Sequence, residues 1–131
     1  MIRIFTWSEF DKSVNYIANK CKNENFSGVY GVPRGGLCLA VALSHKLNIK
    51  FLDKPLKNSL IVDDILETGL TLDSYRNIKG ANFFVLFSKK EPLWWNTVNL
   101  YKKKEWVFFP WENKKNALYE KKQYKMKRGL N

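Results

Sequence analysis

A stretch of thirteen residues constrains this chain more than any other part: Ser59-Leu60-Ile61-Val62-Asp63-Asp64-Ile65-Leu66-Glu67-Thr68-Gly69-Leu70-Thr71. A short apolar run ends in two adjacent carboxylates, and a turn that contains hydroxyl groups and a glycine follows. This pattern predicts a buried parallel strand, Ser59 to Asp63, leading to a phosphate-binding loop at a helix N-terminus. Open α/β sheets bind ligands at the carboxyl ends of their strands, which is where the two aspartates would lie. The alternative for the acid pair alone is a strand end with a polar cap.

The bulk properties predict one domain over residues 1–131 with a basic C-terminal tail at 113–131, and the alternation of strands and helices described below makes it an α/β domain. The chain has 131 residues, of which 45% are hydrophobic, and this is enough for one sizeable core. No apolar stretch is long enough to cross a membrane, and the N-terminus lacks a signal-peptide pattern. We therefore expect a cytosolic (cytoplasmic) protein with no membrane partner. Cys21 and Cys38 are too few for a disulfide framework, and we expect buried free thiols.

The charge is strongly positive and unevenly distributed. The net charge is +11, with one lysine run at 102–104 and a second concentration of lysines in the tail. Such charge favours polyanions, including nucleic acid, as weak and non-specific partners. A solvated basic surface is the alternative interpretation of the tail.

Strands and helices are predicted to alternate along the chain, which indicates a mostly parallel, twisted sheet with helices on both faces. The predicted strands are Gly28–Val32, Ile49–Leu52, Ser59–Asp63, Asn82–Phe87, Trp94–Leu100 and Trp106–Phe109. The predicted helices cover residues 8–22, 37–47 and 70–78, the last one ending at Gly80. A fourth helix can begin near Asn113, with Leu118, Tyr119 and Met126 as its apolar anchors.

A second motif, Val29-Tyr30-Gly31-Val32-Pro33-Arg34-Gly35-Gly36-Leu37, also joins a predicted strand to a helix. Glycines let the backbone approach a polyanion closely, and the start of a helix favours negative charge. Arg34 can add charge-assisted hydrogen bonds to phosphate oxygens. Both motifs should therefore border one crevice at the carboxyl edge of the sheet.

The two motifs together resemble those of the type I phosphoribosyltransferases, enzymes that use phosphoribosyl pyrophosphate (PRPP). The resemblance implies that Asp63 and Asp64 hold the ribose hydroxyls and Mg²⁺, and that the loop after them holds the 5′-phosphate. It implies that the Arg34 loop binds pyrophosphate and that the Pro33–Arg34 peptide can be cis. The PRPP-binding set is then Arg34, Gly35, Gly36, Asp63, Asp64, Ile65, Leu66, Glu67, Thr68, Gly69, Leu70 and Thr71.

Glu67 departs from the family pattern, which has Asp, Ser, Ala or Val at this position. In relatives that have the aspartate, it deprotonates the purine base. A glutamate can perform the same general-base step, although its side chain is one methylene longer. Glu67 is therefore the predicted catalytic base, beside Asp63 and Asp64.

A third segment, Glu105-Trp106-Val107-Phe108-Phe109-Pro110-Trp111-Glu112, is similar to the base-binding segment of bacterial xanthine-guanine phosphoribosyltransferases. The similarity implies that Trp106 stacks on the purine and that the Val107 backbone reads its edge. Lys89, after the fourth predicted strand, would contact the 6-oxo group and so select 6-oxopurines over adenine. Glu112 stands where some relatives place a magnesium ligand. The alternatives are a core tryptophan and a surface lysine.

One departure leaves a second hypothesis open. Family members usually insert a long hairpin between the second strand and the acid-pair strand, and it closes over the site. This chain has only Asp53-Lys54-Pro55-Leu56-Lys57-Asn58 there, so that the 102–104 loop or the tail would have to cover the site. The alternative is a non-catalytic regulator that binds PRPP or a nucleotide and that binds nucleic acid through its basic tail. The resemblance also implies a homo-oligomer.

Overall fold

The computed structural model describes residues 2–127 and divides into two compact units. One unit is formed by residues 11–103 and the other by residues 2–10 together with 104–127. The prediction of a single domain stays a prediction. Within the described residues, no helix has the length and apolarity needed to cross a membrane.

The larger unit is built on a five-stranded, fully parallel sheet in the order β3-β2-β4-β5-β6. Its strands are β2 (Val29–Gly31), β3 (Phe51–Leu52), β4 (Leu60–Leu66), β5 (Asn82–Ser88) and β6 (Asn96–Leu100). Its helices are α2 (Leu37–Leu47), α3 (Leu70–Asp73) and most of α1, which runs from Trp7 to Cys21. The predicted α/β class with a parallel sheet is therefore confirmed.

The central strand β4 begins with three fully buried apolar residues, Leu60, Ile61 and Val62. A strand buried on both faces has this continuous apolar sequence rather than an alternating one. On one face, Ile61 belongs to a core cluster with Phe83 and Val85 of β5, and Leu72 of α3 joins it. The residues that bear the site's chemistry therefore project from a rigid strand.

The predicted helix 70–78 is wrong in its length, because α3 ends at Asp73. From Ser74 to Ile78 the chain continues as tight turns, in which Ser74 N, Tyr75 N, Arg76 N and Ile78 N donate to carbonyls three residues back. These tighter turns let Tyr75 and Ile78 pack against the core cluster. Gly80 then takes a positive φ of 72°, a backbone conformation that glycine adopts without strain.

The smaller unit contains a two-stranded parallel sheet and one helix. Strand β1 (Ile2–Ile4) pairs with β7 (Trp106–Phe108), and α4 covers Lys114–Lys127. Sequence reasoning missed β1, because three residues before a helix give almost no periodic signal. The predicted anchors of α4 are also wrong: Leu118, Tyr119 and Met126 are exposed, whereas Ala117 is buried.

The two cysteines are free thiols, as predicted. Cys21 is buried at the end of α1, and burial raises the pKa of its thiol to about 11. Cys38 is only half-buried in α2, so that the expectation of burial holds for one of the two.

Candidate active site

The acid pair lies inside β4 rather than after it. Asp63 pairs with Val85 of β5 in the parallel register, and β4 continues to Leu66. The predicted strand end at Asp63 is therefore wrong by three residues. The carboxylates themselves accept backbone N–H groups: Asp63 Oδ1 from Asp64 at 2.8 Å, and Asp64 Oδ1 from Ile65 at 2.7 Å. These bonds fix both side chains against the strand.

The glycine turn after β2 lies directly against Asp64. A Cβ atom placed on Gly35 would stand 2.2 Å from Asp64 Oδ2 and 2.4 Å from its Cγ. A Cβ on Gly36 would stand 2.5 Å from the carbonyl oxygen of Val62. Only glycine fits at these positions, so the backbone of the second motif touches the acid pair of the first. The predicted convergence of the two motifs is present in the larger unit.

The turn itself is ordered by backbone contacts. Val32 N donates to Val62 O of β4 at 2.9 Å, and Gly36 N donates to Val32 O at 2.8 Å. Helix α2 begins immediately after Gly36, as predicted. The Pro33–Arg34 peptide is cis, as the resemblance allowed, and the Arg34 side chain is exposed.

Burial is the main influence on the acidity of the pair. The low-polarity surroundings raise the pKa of Asp63 far above its ordinary value, and the neighbouring Asp64 carboxylate raises it further. Two adjacent carboxylates cannot both ionise easily in such a place. A bound cation would relieve this repulsion, and so the pair suits a ligand that brings positive charge.

The loop after β4 joins that strand to α3 through a glycine in the left-handed conformation. Gly69 has a φ of 89°, and Leu70 N contacts Thr68 Oγ1 at 3.3 Å. Asp73 N donates to Gly69 O at 2.9 Å, so that the main chain of this loop leads directly into α3. Glu67 is half-buried at the head of this loop. Such a loop can receive an anion through its main chain.

Two consecutive lysines follow β5, and their side chains form hydrogen bonds with different partners. The Lys89 ammonium donates to the carbonyl oxygen of Lys103 and lies 4.6 Å from the centre of the Tyr101 ring. The Lys90 ammonium donates to the carbonyl oxygen of Thr68 at 3.3 Å. Sequence reasoning chose Lys89 alone and missed the contact of Lys90 with the loop.

The remaining predicted residues belong to the smaller unit. The Trp106 ring packs against Tyr124 at a centroid distance of 5.3 Å, and its indole N–H is buried without an acceptor among the described residues. Val107 is buried in β7, where it pairs with Arg3. Glu112 Oε1 accepts the N–H of Phe109 at 2.8 Å. The base-binding and metal roles of these three residues stay predictions.

The chemistry of the acid pair fits a magnesium ion. Mg²⁺ takes oxygen ligands and is usually held by one or two carboxylates together with substrate phosphates and water. Asp63 and Asp64 supply the carboxylates, and glycine at position 35 lets the backbone of the second motif approach them closely. No group of three or more His, Cys, Asp or Glu side chains within residues 2–127 could hold a metal by itself. The substrate would therefore have to complete the coordination.

A separate cavity of about 440 Å³ lies in the larger unit near the start of β5 and β6, where Phe84 and Thr97 line it. Because the strands are parallel, their amino ends lie at the edge of the sheet opposite the loops after β2 and β4. This cavity is therefore not the site formed by the two motifs.

Comparison with known proteins gives a consistent result at low identity. A xanthine-guanine phosphoribosyltransferase of Chromohalobacter salexigens is 24% identical in an alignment that covers 82% of each chain. A similar relative in Idiomarina loihiensis is also 24% identical. No protein-family model matches the chain.

The fold is likewise shared with solved structures. A purine phosphoribosyltransferase from Pyrococcus horikoshii matches with a TM-score of 0.72 and 26% identity, over 86% of this chain and 94% of that one. A xanthine-guanine-hypoxanthine phosphoribosyltransferase from Helicobacter pylori matches with a TM-score of 0.71 and 18% identity, over 92% and 98%. The resemblance inferred from the motifs is thereby confirmed.

Proposed function

We propose that this chain acts as the purine phosphoribosyltransferases that it resembles in sequence and fold, and that it transfers the phosphoribosyl group of PRPP to a 6-oxopurine. The products would be a nucleoside 5′-monophosphate and pyrophosphate. The observation that carries the proposal is the contact of the Gly35 backbone with the Asp64 carboxylate. This contact brings the proposed pyrophosphate loop and the proposed ribose site together.

Three groups of residues bind different parts of the substrate. Asp63 and Asp64 hold the ribose hydroxyls, the main chain from Glu67 to Thr71 binds the 5′-phosphate, and the Arg34 turn binds the pyrophosphate. Mg²⁺, when bound, neutralises charge on the leaving pyrophosphate. Each of these groups is fixed by backbone contacts before substrate arrives, which lowers the entropy lost on binding.

The bond changes require one proton acceptor. The bond between C1′ and the pyrophosphate oxygen breaks, and a bond between C1′ and N9 of the base forms. The base must lose a ring proton to remain neutral, and Glu67 is the proposed acceptor. The pyrophosphate leaves with the electron pair of the broken bond.

The substrate class is tested by measuring pyrophosphate release with Mg²⁺, PRPP and a panel of guanine, xanthine, hypoxanthine, adenine and uracil. We expect release with at least one 6-oxopurine and little with adenine or uracil. Lys89→Ala should narrow the difference between guanine and adenine, since it removes the cation proposed to prefer a carbonyl oxygen. Preference for adenine in the unaltered protein would contradict the proposed base.

Replacement of Trp106 tests the proposed stacking residue. Trp106→Ala should weaken purine binding by about 1–3 kcal/mol, the range found for base–aromatic stacking, and should leave PRPP affinity nearly unchanged. Calorimetric titration measures both affinities. Trp7→Ala replaces another tryptophan of the same unit, 52% exposed, and serves as the control. Loss of folding in Trp106→Ala, without a selective loss of base affinity, would make Trp106 a structural residue.

The regulator hypothesis would require strong binding of nucleic acid by the tail. Helix α4 is polar over most of its length, with lysines exposed at 114, 115 and 122. We expect weak RNA binding at low salt that disappears near physiological salt, because the binding is electrostatic. Fluorescence anisotropy over a salt series measures how the RNA affinity falls as the salt concentration rises. Tight binding at physiological salt, with no turnover on any base, would favour the regulator.

A further inference from the structure

We infer that Lys90 is a positioning residue for the 5′-phosphate of the substrate, an inference that rests on the proposed function. The Lys90 ammonium donates to the carbonyl oxygen of Thr68 at 3.3 Å. Thr68 lies within the loop proposed to bind that phosphate. Lys90 therefore places a full positive charge beside the loop and holds one of its peptide groups at the same time.

The parallel register of β4 and β5 places Lys90 near the loop that contains Thr68. Leu66 of β4 pairs with Ser88 of β5, and Leu66 O accepts the backbone N–H of Lys89 at 2.9 Å. Thr68 and Lys90 lie two residues beyond the ends of these two strands. The paired strand ends therefore bring the two loops close together, and the Lys90 side chain spans the remaining distance to Thr68 O.

The backbone of Lys90 is itself anchored by buried groups. The Ser88 hydroxyl donates to the carbonyl oxygen of Lys90 at 2.6 Å, and the Trp95 indole N–H donates to the Ser88 oxygen at 3.1 Å. Ser88 is fully buried and Trp95 nearly so. This chain of hydrogen bonds holds the turn after β5 and restricts where the Lys90 ammonium can lie.

The ammonium retains capacity for a ligand while it holds the loop. A lysine ammonium has three N–H donors, and among the described residues Thr68 O takes one of them. When Lys90 engages the carbonyl oxygen, it also keeps the negative end of that peptide occupied. Because the N–H group of a trans peptide points away from its carbonyl oxygen, the bond from Lys90 directs the Gly69 N–H toward the opposite side of the loop, where we place the phosphate. We expect Lys90 to favour ligands that carry a 5′-phosphate over those that carry only pyrophosphate.

The experiment compares Lys90→Met and Lys90→Arg with the unaltered protein, and uses Lys12→Met, an exposed lysine on α1, as the matched control. Lys90→Met should raise the KM for PRPP about tenfold, the scale of one hydrogen bond to a charged group. It should weaken guanosine 5′-monophosphate binding by a similar factor. The KM for the base and the inhibition constant for pyrophosphate should not change. Lys90→Arg and Lys12→Met should stay within about threefold of the unaltered protein.

The outcomes separate this inference from the proposed function. Turnover by the unaltered protein with an unchanged KM for PRPP in Lys90→Met would overturn the role of Lys90 alone. An equal loss in Lys90→Arg, or an equal weakening of pyrophosphate, would also overturn it, because the effect would then not come from a cation at the 5′-phosphate. Absence of turnover in the unaltered protein would overturn the proposed function. Thermal unfolding of each variant checks that the fold is retained.

Discussion

Replacement of both acids, Asp63→Asn with Asp64→Asn, should abolish measurable PRPP binding and turnover, with an affinity loss of at least about 100-fold. Each charged hydrogen bond to a ligand is worth about 1.5–3 kcal/mol, and two such groups are removed together. Neutral amides also make poor ligands for Mg²⁺. Calorimetric titration with PRPP and Mg²⁺ measures the loss. Unchanged PRPP affinity would contradict the assignment of the site.

The same variant should be more stable than the unaltered protein when no ligand is present. Burial and the Asp64 charge raise the pKa of Asp63 in the folded state above its value in the unfolded chain. The folded state then binds the proton more tightly, so that the unaltered protein loses stability as the pH rises from about 4. Asparagine has no such titration. We expect a Tm gain of a few degrees at about pH 8 that largely disappears at acidic pH.

Introduction of one methyl group, Gly35→Ala, should lower turnover by about 100-fold. The new Cβ would lie 2.2 Å from Asp64 Oδ2, and the Asp64 carboxylate cannot swing aside freely because it accepts the N–H of Ile65. The turn or the carboxylate must move, and a displacement of about 1 Å in a catalytic site can cost about 100-fold. Steady-state pyrophosphate release measures the effect.

A double-mutant cycle provides the control for this steric argument. Gly35→Ala should lower the free energy of unfolding by about 1–3 kcal/mol in the unaltered background. In an Asp64→Ala background the carboxylate is absent, and Gly35→Ala should lower the free energy of unfolding by a clearly smaller amount. Denaturant unfolding gives all four values. Equal costs in both backgrounds would show that Asp64 is not the group the methyl meets.

The motifs predicted the site better than they predicted the lengths of the elements. The bounds of α2 were predicted without error, since Gly35 and Gly36 mark its start and Asn48 ends it in a left-handed conformation. Strand β4 was predicted too short because Asp63 and Asp64 resemble a polar strand end. In the folded chain their side chains accept neighbouring backbone N–H groups, which lets the strand continue.

Other features depend on contacts that no local pattern carries. Strand β1 exists because it pairs with β7, about a hundred residues later. The contact of Lys90 with Thr68 requires the register of β4 and β5, and the sequence does not give that register. The pairing of Leu66 with Ser88 brings the following loops together, and the Lys90 side chain then makes the contact. The burial of Ala117 in place of its larger neighbours likewise depends on which face of α4 meets β7.

One measurement tests the central claim most directly. The purified protein is incubated with Mg²⁺, PRPP and a single 6-oxopurine in a single-turnover format, and the products are separated and identified by mass. The account predicts equal amounts of nucleoside 5′-monophosphate and pyrophosphate from the unaltered protein, and neither product from Asp63→Asn with Asp64→Asn. Absence of a nucleoside monophosphate with guanine, xanthine and hypoxanthine alike, or equal yields from the double variant, would contradict it.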